Sequence, residues 1–122
     1  MRIAIIGASK DRNKYGNKAV RAYKELDNVV FPVNPHEKEI EGLPCYSSVL
    51  DIPIEVDAAS IYLPPEIGLK VVDDIIKKGI KKVFLNPGTE SDELINKLRL
   101  YGIEVILACS IRAIGKNPDE MK

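Results

Sequence analysis

A chain of 122 residues with 18 Lys plus Arg against 18 Asp plus Glu has no net charge at neutral pH, which gives no reason to expect a nucleic acid or a membrane surface as partner. Hydrophobic residues make up 45% and charged ones 30%, the make-up of a folded chain and not a disordered one, and the length predicts one domain over residues 1–122. No apolar run approaches the roughly 20 residues needed to span a bilayer, and Arg2-Ile3-Ala4-Ile5-Ile6 is too short for a signal-peptide core, so a cytoplasmic protein is expected. Cys45 and Cys109 form no CxxC pair, and a single His leaves no conventional zinc site, so no metal is expected.

Short runs rich in Ile and Val recur at residues 3–6, 29–33, 56–61, 83–85 and 105–107. Continuous apolar character marks strands covered on both faces, as in parallel sheets. The stretches between them read as helices. The first, 18–26, puts Ala19, Val20, Ala22, Tyr23 and Leu26 on one face. The second repeats Leu69, Val72, Ile75 and Ile76, with Gly79 as its stop. The third repeats Leu94, Ile95, Leu98 and Tyr101, with Thr89 as N-cap and Gly102 as stop. Residues 34–55, with Pro35, Gly42, Pro44 and Pro53, read as a loop holding one short helix near 48–50. The tail is expected to lie on the surface or fray beyond Gly115. Strands alternating with helices predict an α/β domain with one five-stranded parallel sheet and right-handed crossovers.

Ligands in such sheets sit beyond the carboxyl ends of the strands, where the winding reverses. The strand ends here read Gly7-Ala8-Ser9-Lys10, Asn34-Pro35-His36, Tyr62-Leu63-Pro64-Pro65, Asn86-Pro87-Gly88 and Ala108-Cys109-Ser110. The first loop is neither GxGxxG, since the next glycine is Gly16, nor a Walker A loop. From Lys10 to Glu25 it carries six basic residues (Lys10, Arg12, Lys14, Lys18, Arg21, Lys24) against Asp11 and Glu25, while residues 37–57 hold six acids against Lys38. A basic segment at a glycine loop suits a polyanion, although lysines on a solvated helix face give the same count. At the end of the second strand, where NAD sites usually place Asp or Glu for the ribose hydroxyls, stands Val33-Asn34-Pro35 with His36 and Lys38 following. That favours a ribose bearing a phosphate, as in CoA or NADP.

Gly7-Ala8-Ser9, Lys14-Tyr15-Gly16, Phe31-Pro32-Val33-Asn34-Pro35, Ile40-x-Gly42 and Cys45-Tyr46-Ser47-Ser48-Val49 together resemble the small stand-alone CoA-binding domain proteins, as do Ile52-Pro53-x-x-Val56-Asp57, Tyr62-x-Pro64, Asn86-Pro87-Gly88 and Cys109. The domain is similar to the CoA-binding domain of the succinyl-CoA synthetase α subunit, and the resemblance implies a Rossmann-like, doubly wound five-stranded sheet. It further implies that Gly7, Ala8 and Ser9 approach a diphosphate through backbone amides, with charge from Lys10, Arg12 or Lys14 beside Gly16. Asn34 and Pro35, after Val33, would border the ribose and its phosphate, with His36 as a phosphate contact or a bystander. Leu63, Pro64 and Pro65 would line an adenine slot, Pro65 also starting a helix. Asn86, Pro87 and Gly88 would face the pantetheine arm. The family often has Pro where this chain reads Asp11-Arg12-Asn13, and Gln-x-Gly in place of Asn86-Pro87-Gly88. Cys109 reads either as a thiol that a CoA thiol can reach or as an inert buried cysteine.

No nucleophile–base pair is evident by spacing, so no catalytic residue is assigned. The expected activity is binding of coenzyme A or an acyl-CoA. The alternatives are an NAD(P)-linked enzyme or redox sensor, and a non-catalytic subunit of an acyl-CoA ligase. Monomer and homodimer both stay open.

Overall fold

In the computed structural model residues 1–121 are described; Lys122, the last residue of the expected domain and tail, lies outside the described residues. In chain order the elements are β1 (Arg2–Ile6), α1 (Tyr15–Glu25), β2 (Val29–Val33), the short strands β3 (Glu39–Ile40) and β4 (Leu43–Pro44), β5 (Ala58–Ile61), α2 (Pro65–Lys78), β6 (Lys82–Leu85), α3 (Asp92–Leu100), β7 (Glu104–Leu107) and α4 (Ser110–Ala113). Single 3-10 turns lie at Val49–Asp51 and Pro118–Glu120.

β2, β1, β5, β6 and β7 form one sheet in that order, every pair parallel. Alternation along each strand feeds two separate cores. Ala4, Ile6, Ala59, Ile61, Val83 and Leu85 face Val72, Ile75, Leu94 and Leu98 of α2 and α3. Ile3, Ile5, Val30, Ala58 and Phe84 face Ala19, Val20 and Tyr23 of α1 and Ile111 of α4. The sheet is therefore doubly wound: β1 leads through α1 to β2 on one side, and the chain then crosses back to β5 on the other. The switch point falls between β1 and β5. Register sets Ile6, Val33, Ile61, Leu85 and Leu107 side by side, so all five following loops open on one edge.

The five strands stand where the apolar runs place them, and α2 carries Pro65 in its first turn and stops on left-handed Gly79. The differences are local. α1 starts at Tyr15, three residues before the predicted start at 18, because its first turn buries Gly16 and Asn17 under the loop. The N-cap of α3 is Ser91, whose Oγ accepts from the Leu94 amide at 3.2 Å, while Thr89 is buried and donates to the Asn86 carbonyl. The stretch after β2 holds a hairpin that the sequence reading leaves as loop. Its two central residues, Glu41 (φ 51°) and Gly42 (φ 77°), take the left-handed conformations of a tight turn. The tail does not fray beyond Gly115: Pro118 is buried, and Lys18 Nζ donates to its carbonyl at 3.0 Å. Tyr46 pairs with Val33 along the outer edge of β2, which tolerates Pro32 because β2 is the last strand on that side.

Gly16 sits so close to the end of β1 that a Cβ there would run into the Gly7 carbonyl oxygen. Gly68 in α2 meets only the Leu94 Cδ2 methyl at 3.2 Å, which can rotate away. Gly16→Ala is therefore expected to destabilise by about 1–3 kcal/mol through backbone displacement, whereas Gly68→Ala stays near neutral because lost unfolded-state entropy offsets the squeeze. Urea unfolding of the two variants checks the contrast.

Candidate functional site

The floor of the site is backbone. Gly7, at φ +90°, lies where an added Cβ would be 2.6 Å from the Tyr62 carbonyl oxygen, so the loops after β1 and β5 and the first turn of α1 meet at three backbone segments. The amides of Gly7 and Ala8 both donate to the Val33 carbonyl, at 3.0 and 3.3 Å. This corrects the expectation that these amides turn toward a diphosphate. The donors on offer are instead at the start of α1. Lys14 occupies its N-cap without a side-chain hydrogen bond, and its carbonyl accepts from the Asn17 and Lys18 amides, so the first-turn N–H groups on offer are those of Tyr15 and Gly16.

Above this floor runs one groove in three connected parts. The central cleft, about 320 Å³, is lined by Gly7, Lys14, Gly16, Pro64, Gly88 and Thr89 together with Tyr15, Tyr62, Leu63 and Pro87. Gly7 and Leu63 also border a hollow of about 350 Å³ on the β2 side, with Val33, Asn34, Pro35 and His36. Tyr15, Tyr62 and Pro87 also border a pocket of about 190 Å³ on the β6–β7 side, with Asn86, Cys109, Arg112 and Pro118. At a strand spacing of about 4.8 Å, the groove crosses four intervals, or roughly 19 Å.

Most of the expected site residues thus share one groove. Ala8, Ser9, Lys10, Arg12 and Pro65 are placed differently. Ala8 is buried, Ser9 Oγ accepts from the Asp11 amide, and Pro65 opens α2. Lys10 pairs with Glu37 at 3.0 Å and Arg12 with Glu41 at 3.7 Å, so the acids of the hairpin region neutralise the basic loop. Lys14 makes no ion pair among the described residues and faces the cleft. Asn34 is a brace: its Nδ2 donates to the Ala8 carbonyl at 2.8 Å and its Oδ1 accepts from the His36 amide at 2.8 Å. Cys109 is half-buried on a pocket wall, not in the core. Burial pushes the Cys45 thiol up from its ordinary value.

Two hydrogen-bond networks escape the sequence reading, although Asn86 is named in it as a ligand contact. Buried Asn17 donates to the Ser9 carbonyl and to Glu41, and accepts from Arg21 Nε at 2.7 Å, tying loop, helix and hairpin together. Beneath the β5–β7 end lies a neutral network. Asn86 Nδ2 donates to Ser60 Oγ and to the Ile61 carbonyl, both at 2.8 Å, and Asn86 Oδ1 accepts from the Ser110 amide. Ser60 and Ser110 hydroxyls are 2.7 Å apart, and Tyr62 Oη is 3.0 Å from Ser110 Oγ. Tyr23 donates to the Ser110 carbonyl at 2.8 Å. The signals for Tyr62 in the sequence are its place directly at the end of a buried strand and the Tyr62-x-Pro64 motif.

Residues 1–114 match the family model of the CoA binding domain. The chain belongs to that family. The ADP-forming acetate–CoA ligase of Methanocaldococcus jannaschii is 36% identical over 119 residues, covering 94% of this CoA-binding domain and 16% of the ligase. A conserved hypothetical protein from Pyrococcus furiosus superposes with a TM-score of 0.81 at 41% identity, over 86% of this chain and 90% of that one. The dinucleotide-forming acetyl-coenzyme A synthetase 1 of Ca. Korarchaeum cryptofilum, in complex with phosphate and ADP, superposes with a TM-score of 0.79 at 35% identity, over 88% of this chain and 25% of that one. The domain spans a quarter or less of these two longer proteins. Among its described residues no helix is long and apolar enough to cross a membrane.

Burial raises the Tyr62 phenol to about 12, against the lowering pull of its hydrogen bonds to Ser110 and Ser60, and burial also raises Tyr23. A raised phenol binds its proton more tightly folded than unfolded. Its contribution to stability is complete below pH 10 and is lost as pH climbs toward 12, at up to about 1.4 kcal/mol per pH unit. Tyr62→Phe is expected to flatten that alkaline decline and to remove the latest step of the tyrosinate absorbance titration. An unchanged titration in the variant would show that the Tyr62 hydroxyl is not shielded.

Proposed function

We propose that the domain binds coenzyme A or an acyl-CoA along this groove, without turnover. The observation that carries the reading is the groove itself, in a member of the CoA binding domain family: it spans the strand ends of the sheet and opens onto an uncapped helix start beside an unpaired Lys14. An uncapped helix N-terminus presents several N–H groups and the positive end of the helix dipole to an anion. The residues that would hold the ligand fall in order along the groove. Asn34, Pro35, His36 and Leu63 would flank the adenosine, the α1 start with Lys14 the diphosphate, and Pro87, Gly88 and Tyr62 the pantetheine arm. No carboxylate is free at the end of β2 to clasp a bare ribose, because Glu37 is held by Lys10. That disfavours NAD. What supports binding without turnover is that His36 and Cys109 line opposite ends of the groove, which does not bring them together as base and nucleophile.

A second reading has the domain serving as one module of an acyl-CoA ligase, supported by its 36% identity to a 16% share of such an enzyme. Copurification from native extract of a protein carrying the remaining ligase functions supports that reading, and recovery of the domain by itself opposes it.

Titration calorimetry and thermal shift with CoA, acetyl-CoA, NAD and NADP test the main reading. CoA species are expected to raise the melting point, as any ligand selective for the folded state does, and NAD is expected to leave it unchanged. Tight NAD binding with none for CoA overturns the assignment. Within it, Lys14→Ala is expected to weaken CoA about 3- to 10-fold and to reduce the salt dependence of binding, while Lys10→Ala changes affinity less than about twofold because Glu37 already holds that charge.

A further inference from the structure

The two edges of the sheet are finished differently. On the β2 side Tyr46 runs along the edge strand: its amide donates to the Pro32 carbonyl at 3.0 Å, and its carbonyl accepts from the Asn34 amide at 2.9 Å. On the other side β7 has β6 as its one neighbouring strand among the described residues, and Leu107 is 54% exposed. The Glu104 amide donates inward to the Lys81 carbonyl at 2.9 Å. Directions alternate along a strand, so Glu104 and Ile106 turn their backbone groups to β6, while Val105 and Leu107 turn two N–H and two C=O groups outward. Such an edge is a template for a further strand unless charge, proline or a bulge blunts it. Val105, Ile106 and Leu107 carry neither charge nor proline, and their register with β6 is unbroken.

This edge is complementary to itself. Antiparallel pairing about a two-fold axis at Ile106, normal to the sheet, sets Val105 opposite Leu107 of a second copy and Leu107 opposite its Val105. All four outward groups of each strand are then satisfied. Val105 lies on the α2–α3 face and Ile106 on the other. Exposed Leu107 is thereby covered by the second copy's Val105 on one face, and the two Ile106 side chains meet on the other.

Charge matches in the same arrangement. α3 crosses from β6 to β7 and so lies about half a strand interval inside β7, while the seam lies half an interval outside it. The two copies of α3 then run antiparallel two intervals apart, about 10 Å at roughly 4.8 Å each, which is the spacing of packed helices. Lys97 pairs with Asp73 of α2 at 2.8 Å, and Leu94 and Leu98 are buried. At roughly 100° per residue, Asp92 and Arg99 fall on the flank turned away from α2. Both are exposed and make no ion pair among the described residues. Antiparallel helices bring each Asp92 against the second copy's Arg99, with half-buried Ile95 facing its counterpart between them.

We propose that this chain dimerises with a second copy through β7, joining two five-stranded sheets into one of ten strands, with α3 packed on α3 across the seam. The strands of the two copies point in opposite directions, so the two grooves open on opposite edges of the joined sheet. The inference stands apart from the CoA reading, since no residue of the seam is assigned to the ligand.

The test is sedimentation equilibrium of the whole chain from about 1 μM to about 0.5 mM, a range that brackets the dissociation constant on the order of 10 μM that a small interface gives. The mass is expected to rise from monomer to dimer and to stop there, because a two-fold contact closes. Leu107→Pro removes an outward amide and no hydrogen bond within the chain, and is expected to weaken the dimer by about 30-fold or more. Arg99→Asp is expected to weaken it about tenfold by setting like charges against each other. Asp92→Arg combined with Arg99→Asp is expected to restore it to within about threefold, which a merely structural role for either residue does not produce. Each variant is confirmed folded by its melting curve. A chain that stays monomeric at every concentration overturns the proposal, whatever other strand the edge then accepts. Growth beyond a dimer overturns it too, as does a dimer that neither Leu107→Pro nor Arg99→Asp weakens. Failure of the double exchange to restore association overturns the antiparallel placing of α3 on α3.

Discussion

Backbone meets backbone at Gly7, Gly16 and Tyr62, and the groove exists because nothing larger than hydrogen stands between them. A side chain at Gly16 would drive α1 away from the loop after β1, and one at Gly7 would drive that loop off Tyr62 at the end of β5, so either would open the floor. The constraint is steric and short-ranged, yet it sets the direction of the α1 dipole, the position of Lys14 and the height of the Tyr62 ring. The two cores below the floor, one on each sheet face, make the strand ends rigid enough for such close packing to persist.

Charge has a different task here from the one its distribution suggests. Six basic residues in the loop and first helix are balanced by acids from the hairpin region, and the structure brings the two together at Lys10–Glu37 and Arg12–Glu41, with Lys24 donating to the Glu41 carbonyl. Exposed pairs of this kind contribute little stability individually. Their effect is positional. With Asn17 they tie the hairpin across α1 and hold the long first loop, and they leave the helix start, Lys14 and Lys18, whose Nζ lies 5.2 Å from the Tyr15 ring centroid, as sources of positive potential beside the groove.

The sheet was legible because buried parallel strands carry continuous Ile and Val runs, and the order of elements follows once the runs are counted. The helices were legible in their interiors, where apolar residues repeat, and illegible at their starts. Tyr15, Gly16 and Asn17 have no apolar period, and Thr89 and Ser91 are equally good caps by residue type. The hairpin was hidden for a similar reason: two-residue strands show no alternation, and Glu41 is an unusual choice for a left-handed turn, held there by contacts from distant Arg12 and Asn17. Of the site, the strand-end loops could be named from position alone. What position could not give was partnership. Asn34 and Asn86 looked like ligand contacts, and both spend their amides on bracing; Tyr62, two residues beyond Ser60 and far from Ser110 in sequence, becomes a candidate only when the fold joins the three.

That bracing explains how a groove floor can be polar without being charged. Asn86, Ser60, Ser110 and Tyr62 are buried or half-buried, neutral and hydrogen-bonded to one another, and no described buried side-chain polar atom lacks a partner. A buried carboxylate or lysine in their place would need a counter-charge to offset its desolvation, and would tie the groove to ligands of one sign. A neutral network of amide and hydroxyl groups imposes less, since it carries no charge of its own. In the proposed mode of binding the groove divides by chemistry, with the anion assigned to the start of α1, the adenosine to the β2 side and the pantetheine arm to the β6–β7 side, each part next to a different element of the same sheet edge.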